Sequence, residues 1–173
     1  SEINVTVSFQ DGWFILAPQS IGVSADTAES YGFILDEQTS QVTALDVLIA
    51  ANKIYADLMG KDFTEAIVKT DEKTETTTYS NELLSVQASS HGAYITQMFG
   101  NKASCGFTVN GATPHDDVLV NYPGYGEQYT GYAANQALIK NNDKVEFFFY
   151  QDTSFYLDCL TYRLSSCNAF YLD

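Results

Sequence analysis

The chain has 173 residues, of which 45% are apolar, which is enough for one domain whose core needs no metal or disulfide. It carries 22 Asp and Glu against 8 Lys and Arg, which gives a net charge of −14 at pH 7. That charge excludes nucleic acid and anionic membrane surfaces as expected partners, because both are bound through clustered basic side chains. No apolar run of about 18 residues occurs, so the sequence predicts no membrane insertion.

The cysteine pattern excludes two kinds of chemistry. Three cysteines without a C-x-x-C pair predict neither a disulfide framework nor a zinc or thioredoxin-like site. Cys159 and Cys167 would meet if the tail formed a hairpin, and a disulfide there stays open. Cys105 is expected to be a small, half-buried hydrophobic residue. No signal peptide precedes Ser1, so we expect a mature or excised segment.

The first third of the chain predicts two strands and a turn. Residues 3–9 alternate apolar and polar side chains, which is the period of a strand with one solvated face. Asp11-Gly12 predicts a turn into the apolar run at 13–16. Pro18 is expected to end or deflect that second strand, because proline cannot donate to a sheet ladder. Residues 24–33 are typical of a short helix or turn.

The clearest helix is predicted from about residue 44 to 59. Thr43 is placed to cap it, with Asp46 three residues on, and Gly60 stands where a C-terminal cap is expected. Its apolar stripe consists of Leu45, Leu48, Ile49, Tyr55 and Met59. An amphipathic helix with one apolar side is expected to pack on a sheet.

The second half is rich in strand-like segments. Residues 71–80 are polar and predict either a loop or an edge strand, and strand character over 86–98 is broken at 89–92. A further strand is predicted to end at the Asn110-Gly111 turn. A Gly- and Tyr-rich loop is expected over 111–132.

The closing segments complete an α+β pattern. Residues 144–150 are aromatic enough for a central strand, and 151–173 holds more strand-like material. Together the predicted elements indicate an α+β fold: a mostly antiparallel β-sheet with one principal amphipathic helix packed on a face.

Five motifs occur in an order that resembles the transcobalamin-like C-terminal domain family, a domain of unknown function on bacterial secreted and surface proteins. They are INVTVSF, TALDVLIAANK, GAYITQMFG, GFTVNG and DKVEFFFYQD. The resemblance covers residues 3–9 and 43–150. It implies a single β-grasp-like domain over 1–173, with 10–42 as an insertion and 151–173 as a C-terminal extension. Asn142 stands where the family usually has Gly.

The same resemblance implies a corrinoid-binding alternative. In the vertebrate cobalamin carriers, this domain covers one face of the corrin, while a separate helical barrel, absent here, supplies most of the cage. By resemblance, Tyr94, Ile95, Phe107 and Val109 would form the apolar face against the ring. Cobalamin is the cofactor only under this alternative, and otherwise no cofactor is expected.

The sequence predicts no catalytic or metal site. His115-Asp116-Asp117 has the residue types of a metal or acid–base site, but two histidines in the chain are too few for convergent ligands, and a solvated turn is expected. His91 is expected to be structural. Nucleophile-elbow, zinc-protease and phosphate-loop motifs are not present, so we expect no enzyme.

Four tyrosines in the 111–132 loop are the clearest binding candidates: Tyr122, Tyr125, Tyr129 and Tyr132. Tyrosine offers a large, rigid contact area at low entropy cost, and Gly and Asn beside it adapt the backbone. The alternative is that these rings pack on the sheet and order the loop.

These observations predict a non-catalytic extracellular binding or adhesion module of a bacterial secreted or cell-surface protein. Its expected ligand is an extracellular glycan, a protein or a corrinoid. A corrinoid-binding module and a structural spacer are the two alternatives.

Overall fold

The computed structural model describes residues 2–10, 14–35, 40–90, 92–124 and 126–149. The Asp11-Gly12 turn, the Cys159–Cys167 disulfide and the 151–173 extension lie outside them. Within the described residues the fold is α+β, as predicted. The strands are β1 (Glu2–Gln10), β2 (Phe14–Ser24), β3 (Ile67–Asp71), β4 (Thr76–Ser80), β5 (Ser85–Ser89), β6 (Gly92–Gln97), β7 (Cys105–Val109), β8 (His115–Tyr122), β9 (Gly126–Gly131) and β10 (Lys144–Phe149). The helices are α1 (Thr27–Ser30) and α2 (Ala44–Leu58).

Strands from both ends of the described chain form the first sheet, which we call the mixed sheet. Its strand order is β2-β1-β10-β7. The two inner strands, β1 and β10, are parallel, with Thr6 opposite Lys144, and the outer pairs are antiparallel. The prediction of a central strand beginning at residue 144 is confirmed.

Strand β2 runs through Pro18 instead of ending there. Val7 pairs with Gln19 and Phe9 pairs with Leu16, so the register shifts across a bulge that contains the proline. Because β2 is the edge strand of the mixed sheet, the missing N–H costs no inner hydrogen bond. Of the two outcomes expected for Pro18, the strand is therefore deflected.

Helix α2 follows the prediction closely at its start. The Thr43 backbone N–H donates to Asp46 Oδ2 at 2.9 Å, and Thr43 Oγ1 accepts from the Asp46 N–H at 3.5 Å, which completes a capping box. The helix ends at Leu58, and Gly60 follows at φ +65°. Met59 is 56% exposed and does not belong to the packed stripe, because it caps the helix beyond its last packed turn.

An aromatic cluster fills the space between α2 and the mixed sheet. Phe9 stacks on Phe99 with ring centroids 3.9 Å apart, and Tyr55 from α2 meets both rings edge-on. Phe147 and Phe149 of β10 complete the cluster. Such rings contribute large buried areas, which makes this cluster a main source of stability.

Strands β3 to β6 form a second, antiparallel sheet in sequential order, which we call the outer sheet. Residues 71–80 accordingly hold the turn and second strand of a hairpin, and because β4 pairs with β3 on one side and β5 on the other, it is an inner strand and neither the loop nor the edge strand that the sequence predicted. The turn after β6 is fixed by the helix: the buried Asn52 accepts the Phe99 N–H at 2.7 Å and donates to the Leu48 carbonyl at 2.8 Å. Phe99 has φ +51°, so this hydrogen bond supports an otherwise unfavourable backbone.

The prediction of a long loop over 111–132 is wrong, because β8 and β9 pair there as an antiparallel hairpin. The glycines that suggested a loop instead serve the turn and strand ends, and Gly124 and Gly126 have φ +86° and +83°. The Asn110-Gly111 turn is confirmed: both residues have positive φ, and the Val109 N–H donates to the Ala112 carbonyl at 2.9 Å. Neither described helix is long and apolar enough to cross a membrane.

Candidate binding cleft

A cleft of about 1810 Å³ lies where the two sheets and the hairpin meet. Its lining comes from β4, β5 and β6 of the outer sheet, from β7 of the mixed sheet, from both hairpin strands and from residues 131–136. Small-molecule sites usually enclose roughly 300–1,000 Å³, so this cleft suits a large or extended ligand.

The cleft collects most of the binding residues that the sequence predicts. Those that line it are Tyr94, Ile95, Phe107, Tyr122, Tyr129 and Tyr132. Val109 is not among the lining residues, because it lies at the end of β7 and packs against the core. Tyr125 lies outside the described residues. The structure thus brings three of the four predicted corrinoid-face residues and three of the four predicted tyrosines into one site.

The tyrosine side chains remain accessible in the cleft. Tyr94, Tyr129 and Tyr132 are 58%, 47% and 39% exposed, whereas Ile95 and Phe107 are half-buried. Tyr129 stacks on the His115 ring with centroids 4.5 Å apart and planes within 8°. The stack holds the Tyr129 ring in place and still leaves nearly half of the side chain exposed to a ligand.

His115 and Asp116 belong to the start of β8 and not to a free turn. His115 Nδ1 lies 2.7 Å from the Asp116 carbonyl oxygen, and Asp116 Oδ1 accepts the Val118 N–H at 2.9 Å. Among the residues that the structure describes, no three His, Cys, Asp or Glu side chains come close enough to hold a metal ion. His91 lies outside those residues. The contacts of His115 and Asp116 are those of a local strand start.

The charged groups of the cleft have one sign. Glu75 lies on the outer-sheet side, and Asp116 and Glu127 lie on the hairpin side. No Lys or Arg is found in the lining, as far as the described residues show. Together with the net charge of −14, this arrangement attracts positively charged groups.

Cys105 lies in the cleft as an inert thiol. It is half-buried, as predicted, and its Sγ donates to the Ile95 carbonyl at 3.7 Å. Burial raises the pKa of the Cys105 thiol to about 12, so the group stays protonated at physiological pH. A protonated thiol is a poor nucleophile and a poor metal ligand.

Sequence reasoning missed Glu75 and Glu127 of the cleft and all of its outer-sheet lining apart from Tyr94 and Ile95, and it weighed Asp116 only as part of a metal or acid–base site. Glu75 stands in a polar stretch that is typical of a solvated turn, and no spacing relates it to Asp116. Thr113 was also missed: its hydroxyl is buried at the cleft and has no hydrogen-bond partner among the described residues. These groups are assembled by tertiary contacts, so no local pattern indicates them.

A search of protein-family models and a search of curated proteins find no match to this chain. A function therefore has to be inferred from the cleft: its size, its exposed aromatic rings and its acidic lining.

Proposed function

We propose that this chain is a non-catalytic extracellular binding or adhesion module of a bacterial secreted or cell-surface protein, with its ligand in the cleft. The observation that carries the proposal is that six predicted binding residues from separate parts of the chain line one cleft. Exposed, partly fixed tyrosines are typical of recognition surfaces. The ligand classes that fit are a glycan, a protein or a corrinoid.

We further propose that the fold is β-grasp-like and that the chain is related to the transcobalamin-like C-terminal domains. The strand order β2-β1-β10-β7, with parallel inner strands and α2 on one face, supports this interpretation. The family-like motifs also occupy structural positions: Thr43 and Asp46 form the helix cap, and Asn110-Gly111 forms the tight turn after β7.

The chemistry of the cleft supports a non-catalytic role. Its cysteine stays protonated, and its histidine is engaged in a ring stack and a local backbone contact. A nucleophile and a base within hydrogen-bonding distance of each other would be expected in an acyl- or phosphoryl-transfer site. Cys105 and His115 do not form such a pair: the thiol bonds to the Ile95 carbonyl, and the imidazole lies against the Asp116 carbonyl and the Tyr129 ring.

A corrinoid remains the second candidate ligand, favoured by one observation. Tyr94, Ile95 and Phe107 line the same cleft, whose volume accommodates a large planar ring system. Titration with cobinamide, followed by the corrin absorbance, tests it. No spectral shift at high micromolar ligand would exclude a corrinoid.

The general proposal is tested with a double substitution, Tyr94→Ala with Tyr129→Ala. Both side chains are exposed, so the variant is expected to keep its fold and to lose binding to any hit from glycan, host-protein and corrinoid panels. The matched control is Met59→Ala with Ile67→Ala, which removes two exposed apolar side chains outside the cleft. If neither the wild type nor the control binds any panel member, the spacer alternative replaces the binding proposal.

A further inference from the structure

The mixed sheet and the outer sheet each have an end strand at the cleft. The order of the mixed sheet places β7 at one end, and the order of the outer sheet places β6 at one end. Residues of both end strands line the cleft, and the Cys105 Sγ to Ile95 carbonyl hydrogen bond links them. An end strand carries a row of backbone groups that no neighbouring strand occupies, and this row is a template for another strand.

The pairing of β7 shows which of its backbone groups face outward. The Asn110 N–H donates to the Lys144 carbonyl of β10. Because hydrogen-bonded positions alternate along an antiparallel strand, the backbone groups of Thr108 and Gly106 also point toward β10. The groups of Val109, Phe107 and Cys105 therefore point away from β10. Val109 follows this rule: its N–H donates to the Ala112 carbonyl at 2.9 Å, and its carbonyl accepts from the Ala112 N–H at 3.1 Å, both on the side away from β10.

Phe107 and Cys105 have the same outward direction but no such partner. Within the described part of the chain, no backbone hydrogen bond is made by their outward N–H and C=O groups. Both residues line the cleft, so a strand that pairs with this edge would lie at the cleft. A glycan or a corrinoid would leave most of this edge unpaired, whereas an extended peptide pairs with it group for group.

The charge of the cleft specifies the peptide further. Glu75 and Asp116 both line it, and no basic residue lines it in the part of the chain that the structure describes. Exposed Tyr94 and Tyr129 provide faces along which the apolar stem of a lysine or arginine packs. The acidic walls and aromatic faces together complement basic side chains.

Resting on the proposed function, we propose that the ligand is an extended peptide segment with alternating basic residues, which adds to the outer edge of β7 as a further strand. Its backbone bonds to the outward groups of Cys105 and Phe107. Its basic side chains reach Glu75 and Asp116.

The test uses the full chain and a short fluorescein-labelled peptide in which lysine alternates with valine, with binding followed by fluorescence anisotropy at about 0.15 M salt. The same peptide with every amide N-methylated keeps its charge and side chains but cannot donate along either edge. We expect methylation to weaken binding about tenfold or more. Glu75→Gln with Asp116→Asn should weaken binding by roughly three- to tenfold. The control, Asp62→Asn with Glu82→Gln, removes the same charge outside the cleft and should change little.

Each outcome decides between the two proposals. Equal binding of the methylated peptide would overturn the strand-addition inference, because the association would then depend on charge alone. Absence of peptide binding, together with a glycan or corrinoid that the Tyr94 and Tyr129 variant loses, would overturn the inference and leave the proposed function standing. Absence of binding by every probe would overturn both.

Discussion

Asn52 is predicted to be the residue whose loss most directly loosens the junction between the two sheets. Asn52→Ala removes the donor to the Leu48 carbonyl and leaves the Phe99 N–H buried without its acceptor. The lost hydrogen bond costs about 1 kcal/mol, and the unpaired N–H costs about 1–3 kcal/mol more. A total of about 2–4 kcal/mol is a large part of the 5–15 kcal/mol typical of a domain. At about 2–4 °C per kcal/mol, the melting temperature should fall by roughly 5–15 °C.

The assay is urea unfolding followed by circular dichroism, with Lys53→Ala as the control. Lys53 is the next residue of α2, and its exposed pair with Asp57 contributes little to stability because solvent screens it. Hydrogen exchange gives a second, local measurement, because the Phe99 amide should lose protection more than the amides at the start of α2. If Asn52→Ala and Lys53→Ala shift the urea midpoint equally, the two hydrogen bonds of Asn52 do not contribute the predicted total of about 2–4 kcal/mol, which is about 1 kcal/mol for the lost bond and about 1–3 kcal/mol for the unpaired N–H. The same result would refute its role in fixing the turn after β6.

Two further predictions concern the start of α2. Thr43→Ala should lower the free energy of unfolding by about 1–2 kcal/mol, whereas Thr43→Ser keeps the hydroxyl cap and should lose less than half of that, measured by the urea midpoint. Burial raises the pKa of Asp46, although hydrogen bonds from Thr43 and Ala28 oppose the effect. As pH is lowered, the native state binds a proton before the unfolded state does. Stability therefore falls as pH rises through the window between the ordinary aspartate pKa of 3.8 and the raised pKa of Asp46. The stability advantage of the wild type over Asp46→Asn should therefore grow as pH is lowered from about 7 to about 4; an advantage that shrinks on acidification would contradict the raised pKa.

Local signals predicted the helix and the tight turns, and long-range contacts decided the rest. The Thr43 and Asp46 cap and the Asn110-Gly111 turn depend on residues within a few positions of one another, so their pattern is visible in the sequence. The hairpin at 111–132 was missed because its glycines weaken every strand signal while still fitting the turn and the strand ends.

The cleft was predictable in part. Its tyrosines were indicated by the local composition, because tyrosines that alternate with glycines are typical of binding surfaces and are not needed to build a core. Its shape was not predictable, because Tyr94 and Tyr129 come to line one cleft only after the mixed sheet, the outer sheet and the β8–β9 hairpin have assembled. The acidic walls were hidden for the same reason: an isolated Glu75 or Asp116 looks like any solvated carboxylate until its neighbours are known.

The parallel pairing of β1 with β10 has a consequence for biosynthesis. The Asn4 N–H bonds to Asn141 Oδ1 across a sequence separation of 137 residues, so β1 is synthesised long before β10, the strand with which it pairs. Until then Val7 and Phe9, which are both buried in the finished fold, lack their inner neighbour. Because such late-closing topologies fold slowly and leave sheet edges open meanwhile, a chain stopped before residue 144 should aggregate instead of folding.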